Sequence, residues 1–371
     1  MIAPRRDPEI LLRRYWDQPK PPVITVLLSS LSLGYRIALA ARERAYRLRL
    51  LSTGRLPCPV VSVGNITVGG TGKTPMVEQV VRCLRELGAA PAIVSRGYGR
   101  DTRGVGIVAH HEGPLLSPRA AGDEPLLLAD HLPGIPVVVG ENRLQAGQVA
   151  VHQCGASAIV VDDGFQHRTL KKDLEIVVVN GAAPWGNRRL FPRGMLREPL
   201  SALGRAGLVV VTNPRTPADT ETAAGTIRRH NTRAPIVVAS YQVVGVLRVP
   251  DGRELPADAL AGRRLLAFAG LGWPRGFADT LAATRVDVAD LVEYPDHHWF
   301  EGRDLEELAG HAREIRAEGL VTTEKDWIRL RSLNVPPVPL YVLRVQLHLD
   351  TGREQLLQML DRMLAGTAAR R

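Results

Sequence analysis

Only three cysteines occur in 371 residues, and Cys58, Cys83 and Cys154 lie far apart with no Cys-x-x-Cys pair among them. That excludes a disulfide framework and a cysteine-rich zinc site, and it suits a reducing cytosol. Internal repeats and low-complexity tracts are absent, so a solenoid or an array is excluded. The chain also lacks the compositional extremes: with 45% hydrophobic and 23% charged residues it is neither a disordered polyelectrolyte nor a polytopic membrane protein. Its apolar N-terminal stretch is not followed by a small-residue cleavage site of convincing form, which argues against a secretory signal. No Asn-Lys-x-Asp base-recognition motif follows the apolar run at Leu208, where Thr212-Asn213-Pro214-Arg215 stands instead, and this weighs against a GTPase.

What is present begins with length: 371 residues favour two or three domains, each able to bury its own core. The net charge is +10 and the bases are almost all arginine, a residue suited to bidentate phosphate binding. The excess is concentrated at the N-terminus, where the first fifty residues hold ten Lys or Arg against four Asp or Glu. There Val23 to Ala41 forms a weakly polar stretch with Arg36 as its only charge, too short of apolar residues to read outright as a transmembrane span. On a helical wheel Val23, Ile24, Leu27, Leu28, Leu31, Tyr35 and Leu39 share one face, and Arg36, Glu43 and Arg47 the other. With Arg13, Arg14 and Lys20 before it and Arg42, Arg44 and Arg49 after, residues 1–50 read as an amphipathic helix fit to lie in an anionic membrane surface. The competing reading is a helix packed on the protein's own core.

From Pro59 onward, β-branched runs at 60–63, 92–94, 136–139, 158–161, 176–179 and 208–211 alternate with helical stretches such as Met76 to Leu87, which Gly88 stops. Near-continuous apolar strands separated by helices predict a doubly wound, mostly parallel sheet in an α/β nucleotide-binding domain over 51–238. Residues 239–260 read as a β linker with a hairpin turn at Asp251-Gly252. Residues 261–371, with runs at 265–269, 320–323 and 340–343, read as a second, smaller α/β domain that ends in a helix from about Gly352 to Ala365.

The strongest chemical feature is Gly69-Gly70-Thr71-Gly72-Lys73-Thr74-Pro75, set between a strand and a helix. Glycines let consecutive backbone N–H groups converge on phosphate oxygens, the helix N-terminus adds positive potential, the lysine reaches the β- and γ-phosphates, and the threonine hydroxyl suits Mg2+. The usual pattern wants glycine where this chain has Thr67, so the loop is a variant P-loop. Asp162-Asp163, directly after an apolar strand, supply two carboxylates suited to the magnesium of an ATP site. Phe165-Gln166-His167 follow, with packing and hydrogen bonding as their expected roles. Gly122-Asp123-Glu124-Pro125 opens an apolar helix and reads either as a cap or as part of the site. Tyr294-Pro295-Asp296-His297-His298 gathers an acid and two histidines, and Thr322-Thr323-Glu324-Lys325-Asp326 either meets nucleotide or caps the next helix.

Taken together and in order, these motifs resemble the tetraacyldisaccharide 4'-kinase family of lipid A biosynthesis. The resemblance adds Ser95-Arg96-Gly97-Tyr98-Gly99-Arg100, Pro184-Trp185-Gly186-Asn187, Leu196-Arg197-Glu198-Pro199 and Ala267-Phe268-Ala269-Gly270, and runs from the N-terminal helix to about Leu330. Departures are small: Trp273, and Arg188-Arg189 after the asparagine. The resemblance implies transfer of the γ-phosphoryl of ATP to the 4'-hydroxyl of a tetraacyldisaccharide 1-phosphate, on the cytoplasmic face of the inner membrane. It implies ATP held by residues 69–74 and Mg2+ by Thr74, Glu124, Asp162 and Asp163. Asp123, assisted by His297, would be the general base, and Lys73 the third catalytic residue. An anionic, membrane-embedded glycolipid partner gives the basic N-terminal helix a purpose and leaves no role for nucleic acid. Two rivals are a switch or partitioning ATPase that binds a protein or DNA, which has no use for the Asp-His-His cluster, and a kinase for a soluble acceptor, which has no use for the helix.

Overall fold

The computed structural model describes residue 16 and residues 21–272, 274–335 and 337–368. Arg13, Arg14, Lys20 and Trp273 lie outside the described residues. The chain is an α/β protein built on large, mixed, mostly parallel sheet, and it divides into two compact units: residues 241–346, and the remainder on either side.

The larger unit carries strands β1 (Val60–Gly64), β2 (Pro91–Ser95), β3 (Gly106–His110), β4 (Gly113–Pro114), β5 (Val137–Val139), β6 (Ala158–Asp162), β7 (Leu174–Asn180), β8 (Leu208–Thr212) and the first part of β9 (Ile236–Arg248). Their order is β9-β8-β7-β1-β6-β2-β5-β3-β4, parallel from β9 to β5. β3 runs antiparallel to both β5 and β4. Every residue of β1, β2, β6 and β8 is buried, because helices cover both faces of a parallel sheet; that is why these strands are apolar throughout instead of alternating. The helix Lys73–Glu86 buries Met76, Val77, Val80, Val81 and Leu84 at helical spacing, each contributing about 2 kcal/mol. Its buried Glu78 meets His131 Nδ1 at 2.8 Å, which ties it to the far end of the helix Asp123–His131.

In the smaller unit a 3₁₀ turn at Val249–Asp251 and Gly252 (φ +64°) join β9 to β10 (Arg253–Leu255), giving the hairpin expected at Asp-Gly. β11 (Arg264–Ala269), β12 (Asp287–Glu293), β13 (Gly319–Thr323) and β14 (Leu340–Leu349) form a parallel array in the order β12-β11-β13-β14.

Three features differ from the sequence reading. The strands β3, β4 and β12 carry no strong apolar run, because each lies at or beside a sheet edge where one flank is solvated. The C-terminal helix, Arg353–Ala368, goes with the larger unit: Gly352 lies so close to Val237 that an added Cβ would stand 2.6 Å from its side chain, and Arg353 pairs with Glu86 at 2.5 Å. The third is the N-terminal helix, Pro22–Arg47. Its apolar residues do not share one face: Ile24, Leu28, Tyr35 and Leu39 are half-buried, while Val23, Leu27 and Leu31 stay exposed beside Val26, Leu33 and Ile37. The docked face is chosen by polar anchors, which require partners that a wheel of hydrophobicity does not weigh. Ser32 Oγ donates to Leu190 O (3.0 Å), Tyr35 Oη to Arg197 O (2.8 Å), and Arg168 Nη1 to Glu43 (2.6 Å).

Candidate active site

In the larger unit the C-terminal ends of β1, β2, β5 and β6 lie side by side, the edge at which open α/β sheets bind ligands. β1 ends at Gly64, where a Cβ would stand 2.8 Å from the backbone nitrogen of Phe165; glycine alone lets the two loops cross here. The buried Asn65 then donates to Thr71 Oγ1 (3.0 Å), and the Thr71 carbonyl accepts from Thr212 Oγ1 (2.9 Å) at the end of β8. Gly69 (φ +105°) and Gly72 (φ +86°) take positive-φ conformations that side chains oppose, and Gly72 is the N-cap of the helix that starts at Lys73. No side chain caps that helix, so the first-turn amides are available to an anion. Thr74 is half-buried in the same turn.

Lys73 Nζ lies 3.7 Å from Asp163 Oδ1, and the Arg197 guanidinium donates to both oxygens of that carboxylate, at 3.2 and 2.9 Å. Burial opposes charge on Asp163, but Lys73 and Arg197 outweigh it and hold the carboxyl far below the usual carboxylate range. The residue sits at φ +48°, a left-handed conformation that costs about 1 kcal/mol. Asp162, one position earlier, behaves oppositely. Burial, then the charges of Glu124 and Asp163, push its carboxyl up to about 7 in spite of Lys73. Ser95 Oγ donates to its Oδ2 (3.0 Å), and its Oδ1 is buried without a hydrogen-bond partner.

The sequence presents two equivalent carboxylates where the structure makes two different ones. Asp163 is neutralised by cations; Asp162 has a spare buried oxygen aimed at no protein donor. Among the described residues no three His, Cys, Asp or Glu side chains gather tightly enough to grip an ion by themselves. Mg2+ fits that donor set, because it keeps several waters and takes one or two carboxylates together with substrate phosphates.

Wild-type protein without divalent cations should lose stability relative to Asp162→Asn as pH rises. The unfolded aspartate ionises near pH 4 and the folded one near 7, so folding disfavours the charge across that window. In thermal unfolding with EDTA, Asp162→Asn should melt higher than wild type above about pH 7 and match it near pH 4. A constant offset at all pH values would mean that Asp162 ionises normally.

Asp123 is buried as the first residue of its helix, and its Oδ1 accepts from the Glu124 amide (2.9 Å). The cap position itself belongs to Gly122, not to Asp123. A Cβ on Gly122 would stand 3.0 Å from Tyr98 O, so this turn is pressed against the Gly97-Tyr98-Gly99 loop after β2.

Three residues of this edge escaped sequence reasoning as individuals. Arg197 and Ser95 lay inside motifs of the family, and Arg143 in none. Arg143 is buried after β5, donating to Gly140 O and Glu141 O (3.3 and 3.2 Å); burial and Arg96 push its pKa down while Asp162 and Asp163 pull it up. The available signal was position: each ends a parallel strand, follows one or loops back to one. Phe165 is fully buried and Gln166 Nε2 donates to Asn65 O (2.7 Å), as their expected roles require. Burial, with Arg143, Lys172 and Arg96, lowers His167 to about 4, so it is neutral and hydrogen-bonds Thr169.

In the smaller unit the two histidines separate. His298 is structural: it meets Asp304 at 3.0 Å and stacks on Tyr294 at 4.8 Å. His297 (φ +59°) holds its ring nitrogen 3.9 Å from Asp296, which also lies 3.7 Å from Lys325. Asp326 is buried against Arg329 (2.6 Å) and the Gly270 amide (3.0 Å), and Thr323 caps the helix Glu324–Leu330. Capping therefore accounts for Thr323 and Asp326.

Residues 24–365 match the family described as tetraacyldisaccharide-1-P 4'-kinase. The tetraacyldisaccharide 4'-kinase of Syntrophus aciditrophicus is 40% identical over 90% of this chain and 93% of its own. That of Anaeromyxobacter sp. strain Fw109-5 is 40% identical over 96% of this chain and 97% of its own. Among solved structures, LpxK from Aquifex aeolicus, crystallised in complex with ATP, superposes with a TM-score of 0.72 at 30% identity, covering 92% of this chain and 99% of that one. A phosphate loop facing an acidic strand end is common to many nucleotide-binding proteins, but similarity of this extent over both units is not, and the chain belongs to the tetraacyldisaccharide 4'-kinase family, the ATP-dependent 4'-kinases of lipid A.

Proposed function

We propose that this chain, a P-loop doubly wound domain with a smaller α/β domain, phosphorylates the 4'-hydroxyl of a tetraacyldisaccharide 1-phosphate at the cytoplasmic face of the inner membrane. The observation that carries the reading is Lys73 at an uncapped helix N-terminus, 3.7 Å from Asp163 and beside Asp162 with its unpartnered buried oxygen. The amides of residues 69–74 and the Lys73 ammonium would hold the β- and γ-phosphates of ATP. Asp162, the Thr74 hydroxyl and Glu124 would hold Mg2+, which when bound screens the phosphate charge; Asp163, already engaged by two cations, would serve mainly by orienting Lys73. Asp123 would take the proton of the sugar hydroxyl as its oxygen bonds to the γ-phosphorus and the bond to the β–γ bridging oxygen breaks, releasing ADP, and His297 is the second candidate for handling that proton.

Incubating the purified full chain with Mg-ATP and an anionic glycolipid extract should yield, by mass spectrometry, a disaccharide lipid heavier by one phosphoryl group. ATP hydrolysis with no phosphorylated lipid would overturn the reading.

Membrane attachment is proposed on the 26-residue helix Pro22–Arg47, long and apolar enough to cross a membrane and with no buried residue. Val23, Val26, Leu27 and Leu31 are all more than half exposed. Replacing Leu27 and Leu31 together by glutamate should weaken partitioning into anionic vesicles by about a thousandfold, since each leucine contributes about 2 kcal/mol when buried in an apolar phase. Unchanged sedimentation with vesicles would place attachment elsewhere.

A further inference from the structure

The N-terminal helix is exposed along one side and docked on the larger unit along the other, and two of its docking contacts, besides those to Leu190 and Arg168, fall on one short segment, Met195–Glu198. That segment is paired with the phosphate loop. Val68 N donates to Met195 O (2.7 Å), Thr67 and Leu196 form an antiparallel bridge, and Arg197 N donates to Ile66 O (2.8 Å). Its side chains reach the second loop of the site. Arg197 holds Asp163, and Glu198 is buried against Arg205 (2.6 Å), whose guanidinium lies 4.1 Å over the Phe165 ring and donates to Phe165 O (3.2 Å). Two residues of the helix engage this same segment. Tyr35 Oη donates to the Arg197 carbonyl (2.8 Å), and Arg42 Nη2 lies 3.7 Å from Glu198.

We propose that Tyr35 and Arg42 are positioning residues for the nucleotide site, acting through Arg197 and Glu198 to fix the phosphate loop and the Asp162–Phe165 loop against each other. The phosphate loop is rich in glycine and has little side-chain packing of its own, so its shape depends on what it pairs with. The segment it pairs with is a single irregular stretch, held from behind by the helix through one hydrogen bond and one partly buried ion pair. Without that hydrogen bond and ion pair, Arg197 is free to withdraw from Asp163, and Asp163 from Lys73. The helix therefore has two separable tasks: an exposed apolar face, and a docked face whose polar anchors, Tyr35 and Arg42, steady the ATP site. The inference rests on the ATP reading above, which wild-type turnover tests independently.

The experiment uses the full chain with Tyr35→Phe, Arg42→Ala, Arg42→Lys and the double variant Tyr35→Phe/Arg42→Ala, measuring kcat, KM for ATP, KM for the lipid acceptor, vesicle partitioning and thermal midpoint. Tyr35→Phe keeps the ring and its edge packing on Phe191, so folding is not at risk. Tyr35→Phe and Arg42→Ala should each raise KM for ATP roughly fivefold, the equivalent of one hydrogen bond of about 1 kcal/mol. The lipid KM and vesicle partitioning should not change, and Arg42→Lys should restore most of the ATP affinity. An unchanged KM for ATP in the double variant overturns the proposal, whether or not the thermal midpoint falls. So does a rise confined to the lipid KM, which would make the helix a lipid-binding element alone.

Discussion

Lys73→Ala should lower kcat by about 10²- to 10³-fold, the scale on which loss of one preorganised charge at a reacting centre is felt. Charge accumulates on the oxygens of the transferring phosphoryl group, and an ammonium held at the helix N-terminus meets it in a site already shaped, with no reorganisation needed. Thr74→Ala, one residue on in the same turn, should also abolish most turnover if its hydroxyl holds Mg2+. Folding should survive Lys73→Ala, because Arg197 still neutralises Asp163 through two hydrogen bonds. The measurement is steady-state turnover beside a melting curve. A Lys73→Ala protein with near-normal kcat and an unchanged midpoint would show that the glycine loop does not serve the transferred phosphate.

Asp123→Asn should lower kcat by about 10²-fold or more with KM for ATP nearly unchanged, if Asp123 is the base for the sugar hydroxyl. A sugar hydroxyl is a weak acid, and the loose transition state of phosphoryl transfer gives it little help until late, so a carboxylate must be in place to accept the proton. Asparagine keeps the shape and the hydrogen bond that Asp123 Oδ1 accepts from the Glu124 amide, so helix stability should hardly move. The cap position of that helix is filled by Gly122, which makes a purely capping role for Asp123 a poor account of a buried acid. If His297 works by aligning Asp123, His297→Ala should add little further loss to Asp123→Asn. Two losses that multiply as independent effects would dissolve the pair, and a loss of stability with activity per folded molecule intact would return Asp123 to a structural role.

How much of this was legible in the sequence follows from the range of the forces involved. The β-branched runs and the period of Met76 to Leu84 are local patterns, and a sheet covered on both faces has room for little else at those positions. The glycine loop was legible because its backbone conformation is dictated residue by residue: Gly69 and Gly72 hold positive φ that side chains oppose. The short edge strands β3, β4 and β12 were not, since an edge asks for little apolar content and gets its definition from its neighbour. The docked face of the N-terminal helix is illegible for a related reason: its orientation is fixed by Ser32, Tyr35 and Glu43 finding partners more than 120 positions away.

By itself, then, the sequence determined the alternation of strands and helices, the phosphate loop, the acidic strand end and the family they resemble, all features carried by neighbours along the chain. The tertiary structure alone set two adjacent aspartates apart in how readily they ionise. Asp163 is ionised because Lys73 and Arg197 arrive from other segments, and Asp162 resists ionisation because burial and Glu124 surround it. The same is true of His297 and His298, one left beside Asp296 and the other locked between Tyr294 and Asp304. Adjacent residues of one type are interchangeable in a sequence. Solvent exclusion and the distance to opposite charge distinguish them, and both are properties of the folded chain.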